Sequence, residues 1–279
     1  MFMEEKQSSL ISQDTNLLYP EKEKEVSEII KKFYKSNIPL EIIGSGSKRK
    51  IGRPLQCGKT LCLSKLDGIV EYYPEELYIK VKAGTKIDKI ENELKKNKQQ
   101  LAFEPIDFGY LFTGKSDCGT AAGQVACNIS GPRRFKVGST RDQILGFRAV
   151  NGRGDIIKSG GTVVKNVTGY DLSKLICNSF GTLAVLTEIT FKVLPAFEES
   201  KTLVIHNLKI DSAPEYLEKA MSSSNEVSGA SFLPTDPVCK NCEMNIENTF
   251  KLNDLKKDGS LTAIRVEGSK SSTAERLEN

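Results

Sequence analysis

The sequence predicts an α+β fold, with helices and strands mixed and part of the pairing antiparallel. Three observations predict it. Apolar residues recur at helical spacing as Val26, Ile29, Ile30 and Phe33 and again as Ile87, Ile90 and Leu94, which marks two amphipathic helices. Residues 144–150 and 155–157, joined by Asn151-Gly-Arg-Gly154, read as a β-hairpin. Residues 182–194 form a long β-branched run that stops at Pro195, and this is expected to be a strand of a second sheet.

In chain order, residues 1–18 are polar without a sustained period and are expected to be a mobile tail. Pro20 opens the first helix, since proline is tolerated in a first turn; Glu21 and Glu23 follow it. Lys31, Lys32 and Lys35 complement the helix dipole near its end. Residues 39–43 read as a strand that runs into Gly44-Ser-Gly-Ser-Lys48. Residues 77–83 read as another strand, after which Thr85 is expected to cap the second helix, with Asp88 three positions later imitating a capping box. Beyond Pro195 a strand-like segment, 203–208, precedes a helix that begins at Ser212-Ala-Pro-Glu and runs through Leu217 and Met221. The chain then turns polar, and its last dozen residues show no core pattern.

Bulk properties narrow the function. At 279 residues the chain allows roughly one to two domains of ~100 to 200 residues. With 38% hydrophobic and 27% charged residues it reads as an ordinary soluble globular protein. A net charge of +4, with basic residues dispersed among acidic ones, lacks the electrostatic footprint of a nucleic-acid binder. No apolar run approaches the ~20 residues that cross a bilayer, and the polar start has no secretory h-region, so a cytoplasmic protein is expected. Seven cysteines fit reduced thiols rather than a disulfide scaffold. Cys239-Lys-Asn-Cys242 has no second pair and no nearby histidine, and reads as unpaired thiols in a loop; no metal site is expected.

The chemistry concentrates in glycine-rich stretches. Gly119-Thr-Ala-Ala-Gly-Gln-Val-Ala-Cys-Asn-Ile-Ser-Gly131 and Lys165-Asn-Val-Thr-Gly-Tyr-Asp-Leu172 are followed by Ser179-Phe-Gly-Thr-Leu-Ala-Val-Leu-Thr-Glu-Ile189. Small residues let main-chain amides approach a bulky ligand, so such loops suit a dinucleotide as well as they suit ordinary turns.

Read as a whole, residues 39–195 resemble the PCMH-type, or vanillyl-alcohol oxidase type, FAD-binding domain. Within that superfamily they are most similar to the FAD-binding subunit of bacterial glycolate oxidases, on Phe103-Glu-Pro105, Ser130-Gly-Pro-Arg-Arg134, Arg141-Asp142, Asn151-Gly-Arg-Gly154 and the 165–172 stretch. The resemblance implies two α+β subdomains over residues 19–198 and a shortened, partly disordered cap-like region over 199–279. It implies noncovalent FAD, with Gly44, Ser45, Gly46, Ser47, Lys48, Gly119, Thr120, Ala121, Ala122 and Gly123 facing the diphosphate. Ser130, Gly131, Glu188 and Ile189 would lie nearer the flavin ring and ribityl chain, and Gly169 and Tyr170 are carried over with them. It also implies a catalytic flavoprotein subunit and an iron–sulfur subunit as partners, glycolate as substrate of the complex, and any membrane attachment peripheral and made through those partners.

Two departures stand out. Ala122 and Ala184 occupy positions where the family usually has glycine, and each adds a methyl that can crowd the cofactor. Arg133 and Arg134 read either as a carboxylate grip beside the flavin or as a solvated or subunit-contacting pair. No catalytic residue is assigned. The only histidine, His206, sits between Ile205 and Asn207 in an apolar strand and reads as packed structure, so the histidine cluster of related D-2-hydroxy-acid dehydrogenases has no counterpart. A self-sufficient 2-hydroxy-acid dehydrogenase and a flavin-free structural subunit are the alternatives.

Overall fold

The computed structural model describes residues 16–53, 55–117, 119–162, 169–234 and 260–278. Residues 165–168 of one glycine-rich stretch, Cys239 and Cys242, and most of the polar start lie outside them. The chain divides into two compact units at Ala196 and Phe197.

The first unit holds two sheets. The smaller is parallel, in the order β1 (Leu17–Leu18), β3 (Lys59–Cys62), β2 (Leu40–Ile43). Leu17 and Leu18, assigned from sequence to a mobile tail, therefore pair with Thr60 and Leu61. The larger sheet is antiparallel and runs β4 (Ile69–Tyr73), β5 (Tyr78–Lys82), β9 (Ala184–Pro195), β7 (Ile144–Asn151), β8 (Ile156–Gly160); β6 (Gln99–Leu101) pairs with the far end of β9. The β7–β8 pair is the hairpin expected around Asn151-Gly-Arg-Gly154. Strand β9 has neighbours on both edges, which explains why its run is so rich in β-branched residues: Val185, Thr187, Ile189, Thr190 and Val193 are all buried.

Helices cover this sheet. Helix α1 (Glu23–Lys35) buries Val26 and Ile30, and Glu25 reaches back to the amides of Glu21 and Lys22 at its start. Its Glu23 meets Arg148 of β7 and accepts the Thr187 hydroxyl of β9 at 2.6 Å, which ties helix to sheet. Helix α2 (Ile87–Lys96) buries its predicted stripe Ile87, Ile90 and Leu94 completely. Each such side chain contributes roughly 1.5–3 kcal/mol by leaving water. Thr85 does not cap α2. It is fully buried, where its hydroxyl donates to Gly68 O and accepts from Gly68 N, because a buried hydroxyl must find its partners within the core rather than at a solvated helix end. Between β6 and β7 the chain makes α3 (Gly109–Thr113), α4 (Ala121–Cys127) and α5 (Arg134–Val137); α6 (Leu172–Ile176) precedes β9.

The second unit is an antiparallel sheet in the order β10 (Glu199–His206), β12 (Leu261–Gly268), β11 (Gly229–Leu233), with helices α7 (Ala213–Ser222) and α8 (Lys270–Glu278). Val227, Ile264 and Val266 form its small core, with Ile205, Leu217, Ala220 and Leu277 packed against it. The end of the chain is thus built into this unit. Its pattern escapes a sequence reading because α8 buries only Thr273 fully and anchors it through hydrogen bonds to Glu199 and Ser269. His206 is exposed, not packed: it ends the edge strand β10, opposite Leu261. No helix among the described residues is long and apolar enough to cross a membrane.

Candidate functional site

Strand β2 delivers the chain into the loop 44–48, and the loop is braced from behind. Arg49 lays its guanidinium fork on Glu41, with contacts of 2.7 and 2.6 Å, and the Thr60 hydroxyl donates to the same carboxylate at 2.7 Å. Glu41 is buried and Arg49 stays half-exposed, so this is a two-pronged brace between β2, β3 and the loop. The Cys62 thiol donates to Gly44 O at 3.3 Å. Gly46 takes a φ of +78°, a left-handed turn conformation that glycine adopts without strain. Among the described residues, the amides of Ser45, Gly46 and Ser47 meet no protein acceptor. Backbone N–H groups left without acceptors at a turn make an anion-binding concavity.

The second stretch plays a different part. Thr120 caps α4, its hydroxyl accepting from Gly123 N at 3.3 Å. The next two amides are engaged elsewhere, Ala121 N on Thr85 O at 2.8 Å and Ala122 N on Ala83 O at 3.0 Å. The start of α4 is therefore stitched to the β5–α2 connection, and its amides are not offered to an anion. Its residues act by fit. A β-carbon on Gly44 would overlap Thr120 Oγ1, and one on Gly119, whose φ is +85°, would lie 2.8 Å from Lys48 Nζ and 3.0 Å from Ser47 Oγ. The two loops interlock through glycines.

In front of them lies a cavity of about 530 Å³, within the range of cofactor and ligand pockets. It is lined by the 44–53 segment, by Thr120, Ala122, Gly123, Ala126 and Cys127 around α4, and by Phe180, Gly181 and Ala184–Leu186. Lys48, Arg49 and Arg53 contribute cationic groups against the single carboxylate of Glu41. The donors and cations suit a diphosphate, and the apolar wall suits a planar ring. Ala122 and Ala184 both line the cavity, which places the two extra methyls in its wall.

The structure brings together Gly44, Ser45, Gly46, Ser47, Lys48, Thr120, Ala122 and Gly123, with Gly119 directly behind Lys48. It does not bring the others to this cavity. Ala121 is fully buried in the core. Ser130 accepts Thr140 N at 2.8 Å and meets the Thr140 hydroxyl, and Gly131 packs on Glu104. Gly169 is exposed and Tyr170 is 93% exposed. Glu188 and Ile189 lie in mid-strand on β9, with Ile189 opposite both Val81 and Phe147, so their main chain is turned to sheet pairing. Arg133 is neither a solvated residue nor a carboxylate grip. It is buried, 3.3 Å from Glu104 Oε1, with Nη1 on Ala102 O, while Arg134 is exposed.

Sequence reasoning passed over Asp117. Its Oδ1 accepts from Gly119 N at 2.7 Å and from the Ser45 hydroxyl at 3.3 Å, and Lys86 Nζ lies 2.9 and 3.0 Å from its two oxygens. Burial opposes its charge, but Lys86, the Gly119 amide and Ser45 together hold the carboxyl below the usual aspartate range. The signal was present as Asp-x-Gly, an aspartate bonding its own backbone two residues on. Cys127, on the cavity wall, was also passed over; burial pushes its thiol pKa up, against the pull of Lys48. Among the described residues, no group of His, Cys, Asp and Glu could hold a metal ion.

Residues 15–160 match the family described as FAD binding domain. Glycolate oxidase subunit GlcE of Escherichia coli (strain K12) is 46% identical over 165 residues, covering 59% of this chain and 45% of that protein. D-lactate dehydrogenase of Anaerostipes hadrus is 33% identical over 186 residues, 65% of this chain and 36% of that protein. Glycolate oxidase subunit GlcD of Bacillus subtilis (strain 168) is 32% identical over 201 residues, 71% of this chain and 41% of that protein. The chain thus spans less than half the length of these curated relatives. A solved structure of alkyldihydroxyacetonephosphate synthase superposes with a TM-score of 0.72 at 19% identity, over 94% of this chain and 48% of that one, and establishes the fold. Because the family match spans more than half of the sequence, this chain belongs to the FAD binding domain family of PCMH type, with FAD as its cofactor.

Proposed function

We propose that this chain is the FAD-binding subunit of an oxidoreductase complex that converts glycolate to glyoxylate, working beside a catalytic flavoprotein subunit and an iron–sulfur subunit. When bound, FAD supplies the two-electron acceptor for oxidation of a CH–OH carbon. The chain's own residues bind it: the Ser45–Ser47 amides and Lys48 face the diphosphate, and Ala122, Ala126 and Ala184 shape the apolar wall. The similarity to GlcE supports the subunit reading over that of other relatives.

The observation that carries the proposal is a contrast. The first unit offers a braced cofactor cradle, while no histidine lines that cradle among the described residues and the candidate carboxylate grip is engaged elsewhere. The sequence has one histidine, exposed at a strand end, so the usual side chain for proton abstraction near neutral pH is missing from the cavity. Arg133, the candidate carboxylate grip, is held by Glu104. Any membrane attachment would be peripheral, through the partners.

Visible spectroscopy tests this. The purified chain alone is expected to show a flavin band that glycolate leaves unchanged, and the band is expected to bleach in the copurified complex. Bleaching by glycolate in the isolated chain would instead establish a self-sufficient dehydrogenase.

A further inference from the structure

The two loops of the cradle reach it from different directions. Residues 44–48 follow a strand of the small parallel sheet, and residues 119–123 enter a helix that packs on β9 of the large sheet. Glycine contacts set how near they can come, but contact alone does not fix their angle. One carboxylate bonds both: Asp117 Oδ1 takes the Ser45 hydroxyl from the first loop and the Gly119 amide from the second. Asp117 does not itself line the cavity. It is in turn held by its own backbone, since Asp117 N donates to Asp107 Oδ1 at 2.9 Å, and Asp107 also takes Gly109 N and the Ser116 hydroxyl.

We propose that Asp117, paired with Lys86, is the positioning residue of the FAD cradle, acting through Ser45 and Gly119 without touching the cofactor. This rests on the reading of residues 44–48 as the diphosphate loop. The pairing resolves an electrostatic problem. A bare carboxylate behind a diphosphate loop would repel the ligand, and Lys86 sits across both carboxylate oxygens, so the latch adds little net charge. The hydroxyl of Ser45 is held by Asp117, and its amide meets no protein acceptor among the described residues. Asp107, Lys48 and Lys86 are the charged groups that face the latch from its surroundings.

The test is FAD titration of the full chain, freed of flavin, followed by flavin fluorescence, with thermal melting of the apo-protein in parallel. Asp117→Ala is expected to weaken FAD binding by about tenfold or more, the worth of lost hydrogen bonds to a charged group. Lys86→Met, which leaves the carboxylate uncompensated, is expected to weaken binding by a similar factor, by less as salt rises and screens the repulsion. Asp117→Asn combined with Lys86→Met keeps an acceptor and removes both charges, and is expected to recover most of the loss. Asp117→Asn serves where the alanine variant does not fold. Wild-type affinity in both Asp117→Ala and Lys86→Met, or failure of the double variant to recover binding beyond Lys86→Met, would overturn the latch and leave the cradle standing. Absence of FAD binding in the folded wild-type chain would overturn the cradle and the latch together.

Discussion

Thr120 Oγ1 occupies the space that a side chain on Gly44 would need, so the first residue of the 44–48 loop and the cap of helix α4 are fitted to each other. Gly44→Ala is therefore expected to cost about 1–3 kcal/mol of stability through overpacking and to abolish tight FAD binding by pushing the 45–47 amides out of line. Urea denaturation and FAD titration of the variant check both. Thr120→Ala in the same chain relieves the overlap while removing the cap, and should restore binding more than stability.

Arg133 and Arg134 are neighbours with opposite fates. Arg133→Ala removes a buried guanidinium held by Glu104 and Ala102 O and is expected to destabilise the fold by about 3 kcal/mol, whereas Arg134→Ala, at an exposed site, should fall within about 0.5 kcal/mol of wild type. Denaturant midpoints of the two variants decide it. Equal small effects would return Arg133 to a surface or substrate role.

The two arginines show where the sequence was legible and where it was not. Helices α1 and α2, the β7–β8 hairpin, strand β9 and the 44–48 turn follow from spacing, because each is set by residues adjacent in the chain. Arg133 depends on Glu104, twenty-nine positions away, and nothing local distinguishes it from Arg134. The same holds for Thr85, which left the cap for Gly68, and for the Ala121 and Ala122 amides, which a glycine-rich motif suggests are free but which the β5–α2 connection takes. Strand β12 was missed because its core partners Val227 and Ile205 lie across a polar stretch that interrupts the pattern.

Acid should loosen the first unit in a definite direction. Burial opposes charge on Glu23, Asp107 and Asp117, yet hydrogen bonds, joined by Arg148 at Glu23 and by Lys86 at Asp117, keep all three carboxyls below the ordinary range. A depressed folded pKa means the unfolded chain binds more protons as pH falls. Their stabilisation is thus present above the unfolded values near ~4 and is lost as pH drops through the folded ones. Thermal melts of the apo-protein from about pH 7 to about pH 3 should show Tm falling chiefly at the acid end, with a shallower fall in Asp117→Asn. A Tm that rises toward acid pH would contradict the assignment.

Thiol chemistry separates two cysteines. Burial raises the Cys177 thiol to about 11, and its Sγ donates to Val125 O at 3.2 Å, so it is expected to resist alkylation in the folded chain. Cys127 lines the cavity and should be labelled slowly, and more slowly still with FAD bound. Mass spectrometry of iodoacetamide-treated protein with and without FAD gives the answer. Labelling of Cys127 that ignores FAD would place the cofactor elsewhere.

The most direct measurement is saturation of the flavin-free full chain with FAD, read by visible absorbance, beside Gly44→Ala with its fold verified by circular dichroism. The account predicts that wild type takes up a single FAD per chain and that the variant stays colourless. A folded wild type that refuses FAD at saturating concentration, or a folded Gly44→Ala that binds it as well as wild type, would contradict the claim that the 44–48 amides hold the cofactor.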